Sequence, residues 1–584
     1  MDIQENYWAT EGENIDNKEL DNVIYRNADI TEFLYTETKN FIIAPKGVGK
    51  TIILKAKRYL FEKTAKEKRN QEIAENEGEK NSILFYPSSN PYLDFASSFG
   101  YLDKKMIGFL SKWENCKKLW QIALQLSIIS YFSAHSRVPI DPDFIKSLPE
   151  TLSDVYRKNE NVDPTQMLRS ILMLSVSEFQ SLYNVKNVEI DKLYSGKIQS
   201  GICIFIDRID QALEEYPLAV WIGLQVGLIE AAWDLTRANH HVKIYSSIRL
   251  EAYANYVSKN KQAMRGNITL LKYTASDLKQ ILNKLSKYYT DGSFEDFIGI
   301  REVTHPETGH SESIFDCALR HTLSRPRDLV CIGASFRKLS DDPTYNFRYA
   351  VNETSHHEIG TTIFVEKNKF IPNLGQDVAR NRFFGLIHKN VLTYDEMVEI
   401  CRVYNNKSTC GLTCEQCAQV HPFCELYNIG LLGVIERNDH SSTVENVQRF
   451  LQPWEIMPEH EVNLPRSSNC YLIHPCLNHT IRMRRRNVFE SIVFITVGNG
   501  LEWKNGYDQC VELNTIIRLV KDITLRKELV SELGKLINNA NRPEGDFSKQ
   551  AERVRKIAIG IAEVADKASR IVDFGLIIAK CFND

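Results

Sequence analysis

The segment Phe41-Ile-Ile-Ala-Pro-Lys-Gly-Val-Gly-Lys-Thr51 constrains the fold of this chain more than any other stretch. The apolar run Phe41 to Ile43 predicts a short buried strand, and Ile52, Ile53, Leu54, Ala56, Leu60 and Phe61 recur at helical spacing behind it. A loop with two glycines must therefore turn the chain from strand to helix within a few residues. Gly47 and Gly49 permit the backbone conformations that such a turn needs and let successive N–H groups face one point. That point lies at a helix N-terminus, where unpaired N–H groups and the helix dipole favour an anion. The order Ala44-x4-Gly49-Lys50-Thr51 thus predicts a loop that cradles the phosphates of a nucleoside triphosphate. Lys50 would reach the β- and γ-phosphates, and Thr51 would place its hydroxyl on Mg²⁺. Ala44 fills the first position, where glycine is more usual. The alternative is a glycine-rich turn without a ligand.

Further along, Ile202-Cys-Ile-Phe-Ile-Asp-Arg-Ile-Asp210 reads as a strand buried on both faces, as in a parallel sheet covered by helices. Asp207 emerges at its C-terminal end, where it can hold Mg²⁺. Asp210, three residues on, is placed to orient or activate an attacking water; alternatively it caps a helix opened by Ala212-Leu213 and Glu214-Glu215. A third strand, Val242 to Arg249, ends in Ser246 and Ser247 followed by an arginine. A serine hydroxyl there can contact a γ-phosphate or its water, and Arg249 can sense the charge lost on hydrolysis; the alternative for Arg249 is a surface ion pair. In Ser324-Arg-Pro-Arg-Asp-Leu-Val330 two arginines flank a proline suited to a first helical turn. Arg325 and Arg327 are candidates to reach a nucleotide held between a sheet domain and a helical lid, or to bind an acidic neighbour.

In order, Ala44–Thr51, Asp207–Asp210, Ser246–Arg249 and Arg325–Asp328 resemble a little-described group of bacterial ATPases. These lie near the signal-transduction (STAND), KAP and origin-recognition branches of the AAA+-like superfamily. Gln211 departs from the signal-transduction pattern, in which an acid commonly follows the second aspartate. The resemblance implies ATP and Mg²⁺ as ligands. It also implies an α/β P-loop NTPase core with a parallel sheet, then a helical lid and a winged-helix-like domain. The expected divisions are a core over 1–260 with a helical insertion near 87–195, a lid over 261–345, a winged-helix-like domain over 375–480 and a helical C-terminal domain over 481–584.

At 584 residues with 43% hydrophobic content, the chain is too long for one core and should form several domains. A polar, acidic start (Met1-Asp-Ile-Gln-Glu-Asn) and apolar runs shorter than the ~20 residues of a membrane span lead us to expect a cytoplasmic protein with no membrane partner. Thirteen cysteines in that setting predict thiols or metal ligands rather than disulfides. Cys410-x3-Cys414-x2-Cys417-x3-His421-x2-Cys424 can close a tetrahedral zinc site; an iron–sulfur cluster or buried free thiols are the alternatives. A net charge of −3 gives no global attraction to nucleic acid, so DNA binding would have to come from a local patch. Arg482, Arg484, Arg485 and Arg486 form one; a solvated basic run is equally common.

Elsewhere the spacing predicts helices over 104–135, 165–185, 276–289, 315–323, 383–387 and 393–404, a strand over 82–86 and a loop over 139–149. A solvated helix end and loop are expected over 63–80, and a helix end, glycine turn and strand over 427–436. Two further helices, Cys510 to Asn538 and Phe547 to Cys581, suit packing or a homo-oligomer. No His-Glu-x-x-His or Gly-x-Ser-x-Gly pattern offers a second chemistry. The expected function is an ATP-hydrolysing switch or motor of a bacterial defence or DNA-maintenance system, acting through a partner protein or DNA. The alternative is a scaffold whose nucleotide site is structural.

Overall fold

Apolar strands that alternate with helices can bury both faces only as a parallel sheet with helices on each side. The computed structural model follows this logic; it describes residues 8–9, 12–74, 84–87, 90, 92–95, 99–100, 102–136, 139–158, 162, 164–304, 311–387, 390–405, 422–438, 445–455, 464–465 and 470–484. Two units divide the chain, Ala9–Tyr288 and Met1–Trp8 with Tyr289–Asp584. The division falls within the helix Ala275–Thr290, inside the stretch expected as a lid.

In the unit Ala9–Tyr288, six strands form one sheet: β1 (Phe41–Ala44), β2 (Leu84–Tyr86), β3 (Leu93–Asp94), β4 (Ile202–Asp207), β5 (Val242–Arg249) and β6 (Ile268–Leu270). Their order is β2-β4-β5-β1-β6, with β3 also pairing β4, and every ladder is parallel. The chain leaves β1, crosses two positions to β2, and later inserts β5 between β1 and β4. All of β1 and β4 is buried, as their unbroken apolar runs require.

The entry to β1 is fixed by a buried cation. Lys57 donates to the carbonyls of Phe33 (2.5 Å), Thr36 (2.9 Å) and Lys39 (3.0 Å), which end the helix Ala28–Tyr35 and lead into β1. The rings of Phe33, Tyr245 and Phe61 lie 4.4, 4.6 and 5.1 Å from its ammonium. Burial lowers its pKa to about 7.

The helix Leu218–Ala238 lies against β5 and packs on the helix Trp113–Ser136. Gly223 and Gly227 make the approach possible: a Cβ on Gly227 would stand 2.7 Å from Cys116 Cβ and Lys117 N, and one on Gly223 would stand 3.1 Å from Leu110 O. Trp120 Nε1 donates to Leu224 O across the contact at 2.8 Å. Glu230 of the same helix is fully buried and accepts from Lys117, Tyr256, Ser258 and Asn260, so its charge is compensated from several elements. By length and composition Leu218–Ala238 could cross a membrane, but 72% of its apolar window is buried inside the protein, which is consistent with the expectation of no membrane partner.

The insertion between β3 and β4 is helical, as expected, but 139–149 is not simply a loop. A helix spans Pro142–Ser147 because the Asp141 side chain accepts from Asp143 N and Pro142 suits the first turn. The strand expected over 82–86 is β2, and the helix after β1 runs to Ala74.

In the second unit the short helix Phe294–Ile298 precedes a hairpin of β7 (Glu302–Thr304) and β8 (Ser311–Ser313), which is followed by the helices Ile314–Arg320 and Pro326–Ser335. Its larger sheet is antiparallel, with the order β11 (Glu445–Arg449), β10 (Leu432–Asn438), β12 (Cys470–Ile473) and β9 (Val391–Thr393). Phe383, Phe384, Ile400, Phe423, Leu426, Leu432 and Tyr471 build the core between this sheet and the helices Asp377–Phe384, Tyr394–Tyr404 and Pro422–Asn428. Gly430, at φ 76°, makes the glycine turn that the sequence predicts before β10. The expected C-terminal helices at 510–538 and 547–581 lie outside the described residues.

Candidate functional site

In a parallel sheet the strand C-termini share one edge, and ligands bind where the connections diverge. Here β1 is flanked by β5 on one side and β6 on the other. The β1–β5 register pairs Ile42 with Ser247 and Ala44 with Arg249, and the β4–β5 register pairs Ile206 with Ser246. Ala44, Asp207 and the Ser247–Arg249 tip therefore end side by side, across about 10 Å for two strand spacings.

From Ala44 the chain turns through Pro45–Gly49 into the helix Lys50–Ala74, whose first turn carries no acidic residue. Gly47 and Gly49 sit at φ 82° and 95°, a region that side chains with a Cβ enter only under strain. The loop is braced from two sides: the Tyr273 hydroxyl donates to Val48 O at 3.2 Å, and Lys46 lies 3.9 Å from Glu214. Lys50 is held at the helix start by the carbonyls of Ala44 (3.2 Å) and Pro45 (3.0 Å). Burial lowers its pKa, while Asp210, Asp207 and Glu251 act in the opposite direction.

At the end of β4, Asp207 is 1% exposed. One carboxylate oxygen accepts from the Ser247 hydroxyl, and the other, Oδ2, is buried without a hydrogen-bond partner. Burial raises the pKa of Asp207, opposed by the nearby hydroxyls of Ser247 and Thr51 and by the Lys50 charge. A buried acceptor left open beside a threonine hydroxyl fits a hard divalent cation such as Mg²⁺, which takes oxygen ligands. Immediately after it, Arg208 adopts φ 61°. A non-glycine residue there stores about 1–2 kcal/mol of strain and turns the chain sharply into the short helix Ile209–Ala212.

Asp210 lies inside that helix, whose N-cap position is occupied by Arg208. The cap alternative is thereby corrected: the Asp210 carboxylate faces Arg249 Nη1 at 3.3 Å instead. Nor does Arg249 make a surface pair, since it is 3% exposed. Its Nε and Nη2 donate to the two oxygens of Glu251 at 3.0 and 2.7 Å, and its backbone N–H donates to Gln225 Oε1 at 3.0 Å. Lys50, Asp207, Asp210, Ser247, Arg249 and Thr51 thus share one edge of one unit. Arg208, Gln225, Glu251 and Tyr273 were not singled out by sequence. Gln225 left a trace, as one amide in an otherwise apolar helical run.

The remaining candidates lie in the second unit. Arg325 is the N-cap residue of Pro326–Ser335, as the proline predicts, and its guanidinium takes the acidic-neighbour alternative. It bonds Asp328 through Nε and Nη2 (2.8–3.1 Å) and Glu366 through Nη1 (2.7 Å); Arg327 lies 3.7 Å from Glu366. Of the cysteine cluster, Cys424 alone is described, half-buried on Pro422–Asn428; Cys410, Cys414, Cys417 and His421 lie outside the described residues. Among the described residues no three His, Cys, Asp or Glu side chains form a metal-holding group. Arg482 and Arg484 belong to the helix Asn478–Arg484, whereas Arg485 and Arg486 are outside the described residues.

No family model matches this chain. Over 329 residues it is 21% identical to a protein of Escherichia coli (strain K12) described as a transposon gamma-delta 80.3 kDa protein. The match takes in 54% of this chain and 44% of that protein, so the chain spans less than half the length of its relative.

Proposed function

We propose that the unit Ala9–Tyr288 binds ATP with Mg²⁺ and hydrolyses it, and that the protein is a nucleotide-operated switch or motor acting on a partner protein or DNA. The observation that carries this reading is the meeting of Lys50, Thr51, Asp207, Ser247, Asp210 and Arg249 at the C-terminal edge of adjacent strands. Backbone N–H groups after Gly47 and the Lys50 ammonium would hold the phosphates, and the present carbonyl partners of Lys50 keep its amine at the helix start. Thr51 and Asp207 would hold Mg²⁺, which when bound supplies charge neutralisation on the phosphates. Asp210 would orient the attacking water and take its proton, while Arg249 offers positive charge where negative charge accumulates on the transferred group.

The core-and-lid P-loop architecture with a winged-helix-like second unit, as in STAND, KAP and origin-recognition ATPases, belongs to the same proposal. Its support is the sheet order in the first unit and, in the second, three helices combined with an antiparallel sheet. The relative's transposon name favours an output connected with mobile DNA. A second reading, a scaffold with a structural nucleotide, has one observation in its favour: Arg249 already occupies the carboxylate of Asp210.

Nucleotide titration and phosphate release in wild type, Lys50→Ala and Asp210→Asn separate these readings. We expect Lys50→Ala to weaken ATP binding at least about a hundredfold, a loss of roughly 2.7 kcal/mol. Asp210→Asn should bind ATP and lose turnover. Unchanged affinity in Lys50→Ala would defeat nucleotide binding at this loop. Tight binding with no turnover, with or without DNA, would select the scaffold.

A further inference from the structure

Arg249 is held far more firmly than its place at a strand tip demands. The plane of its guanidinium is set by Glu251, whose two oxygens accept from Nε and Nη2 in a parallel fork. Its main chain is set by Gln225, a fully buried amide of Leu218–Ala238 that accepts the Arg249 N–H and donates its own Nε2 to Trp221 O. Glu251 is itself 2% exposed, so the pair is screened from water. With the Nε–Nη2 edge taken, Nη1 is the edge presented to Asp210, at 3.3 Å the longest of the three carboxylate contacts. A single salt contact would have neutralised the arginine and left its plane free to rotate. The bidentate fork fixes direction as well as charge.

We propose that Glu251 and Gln225 are positioning residues for hydrolysis: they aim the Nη1 edge of Arg249 at the space beside Asp210, where the transferred phosphoryl group develops charge. This rests on the ATPase reading above and adds to it the groups that fix its arginine. Preorganised charge contributes most when it need not reorient during the reaction, so the residues that aim it should act on turnover and leave ground-state binding alone. Because both act through Arg249, their removal has nothing left to impair once Arg249 is gone.

The test measures ADP affinity, the gain in affinity when aluminium fluoride joins MgADP, and kcat, in wild type, Glu251→Gln, Glu251→Asp, Arg249→Gln and the double variant Arg249→Gln/Glu251→Gln. We expect Glu251→Gln to keep ADP affinity within about twofold, lose about 10- to 100-fold in kcat, and lose the aluminium fluoride gain to the same extent. Glu251→Asp, which keeps the charge but shortens the fork, should fall between. The double variant should match Arg249→Gln. If Glu251→Gln fails to fold, Gln225→Ala is read on the same three measurements, with a kcat loss of about 3- to 10-fold expected. Wild-type kcat in folded Glu251→Gln, or losses that add in the double variant, would overturn the inference. So would a wild type that gains nothing from aluminium fluoride. A wild type that binds no nucleotide defeats the ATPase reading itself, whereas ordinary turnover insensitive to Glu251 defeats the positioning role alone.

Discussion

Asp207→Asn should make the ligand-free protein more stable and abolish its response to magnesium nucleotide. In the wild type Oδ2 is a buried carboxylate oxygen without a partner, and burial raises the pKa. Burying a charged carboxylate costs more than burying a neutral amide, and an amide of the same shape removes the charge while its oxygen can still accept from Ser247. A relief of about 2 kcal/mol corresponds to a rise of roughly 4–8 °C in Tm for a unit of this size. The sign with pH follows from the raised pKa. Between the unfolded value of about 3.9 and the higher folded value, the folded wild type binds more protons than the unfolded chain, so its stability falls as pH rises through that window. The advantage of Asp207→Asn should therefore be largest at neutral pH and shrink toward pH 4. Nucleotide reverses the ranking: at a hundred times Kd, MgATP should stabilise the wild type by about 2.7 kcal/mol and the variant hardly at all. Thermal melts at pH 4.5 and 7.5, with and without MgATP, read all four quantities. A variant less stable than wild type at both pH values, or one that keeps the full MgATP shift, would refute the reasoning.

Two further substitutions probe the frame around the site. Gly227→Ala places a methyl group 2.7 Å from Cys116 Cβ and Lys117 N, so two helices must separate; we expect about 1–3 kcal/mol of destabilisation in a denaturant titration, whereas Gly196→Ala, which meets no atom within 4 Å, should cost nothing. Tyr273→Phe keeps the ring but removes the hydroxyl that holds Val48 O, and should cost about 1 kcal/mol of stability and weaken ATP binding a few fold with kcat retained. Unaltered ATP affinity in a folded Tyr273→Phe protein would show that this hydroxyl does not shape the loop.

Much of the parallel sheet was legible because its strands are continuous apolar runs with their chemistry at one end. Phe41–Ala44 and Ile202–Asp207 match the expected strands, and Asp207 stands where the run stops. What escaped were contacts made across the sequence. Nothing near Tyr273 announces that its hydroxyl reaches Val48, and nothing near Arg249 separates a surface ion pair from a guanidinium fixed by Gln225 and Glu251. The Arg208 turn was equally hidden, since arginine carries no preference for positive φ. The helix Pro142–Ser147 was missed for a different reason: three prolines within 139–149 read as loop punctuation, although the middle one, Pro142, is a first-turn residue behind an aspartate cap. For Arg325, proline correctly placed the helix start, but the partners of its charge, Asp328 and Glu366, are a matter of packing.

The glycine-faced contact also bears on how this protein is made. Leu218–Ala238 is a long, largely apolar segment, and during synthesis it emerges before β5, which later lies against it. Its other cover, Trp113–Ser136, comes earlier in the chain and has left the ribosome by then. Gly223 and Gly227 let the newcomer settle closely onto a helix already waiting. A substitution that delays this docking would lengthen the interval in which the apolar segment stands bare, so its first symptom would be aggregation during synthesis.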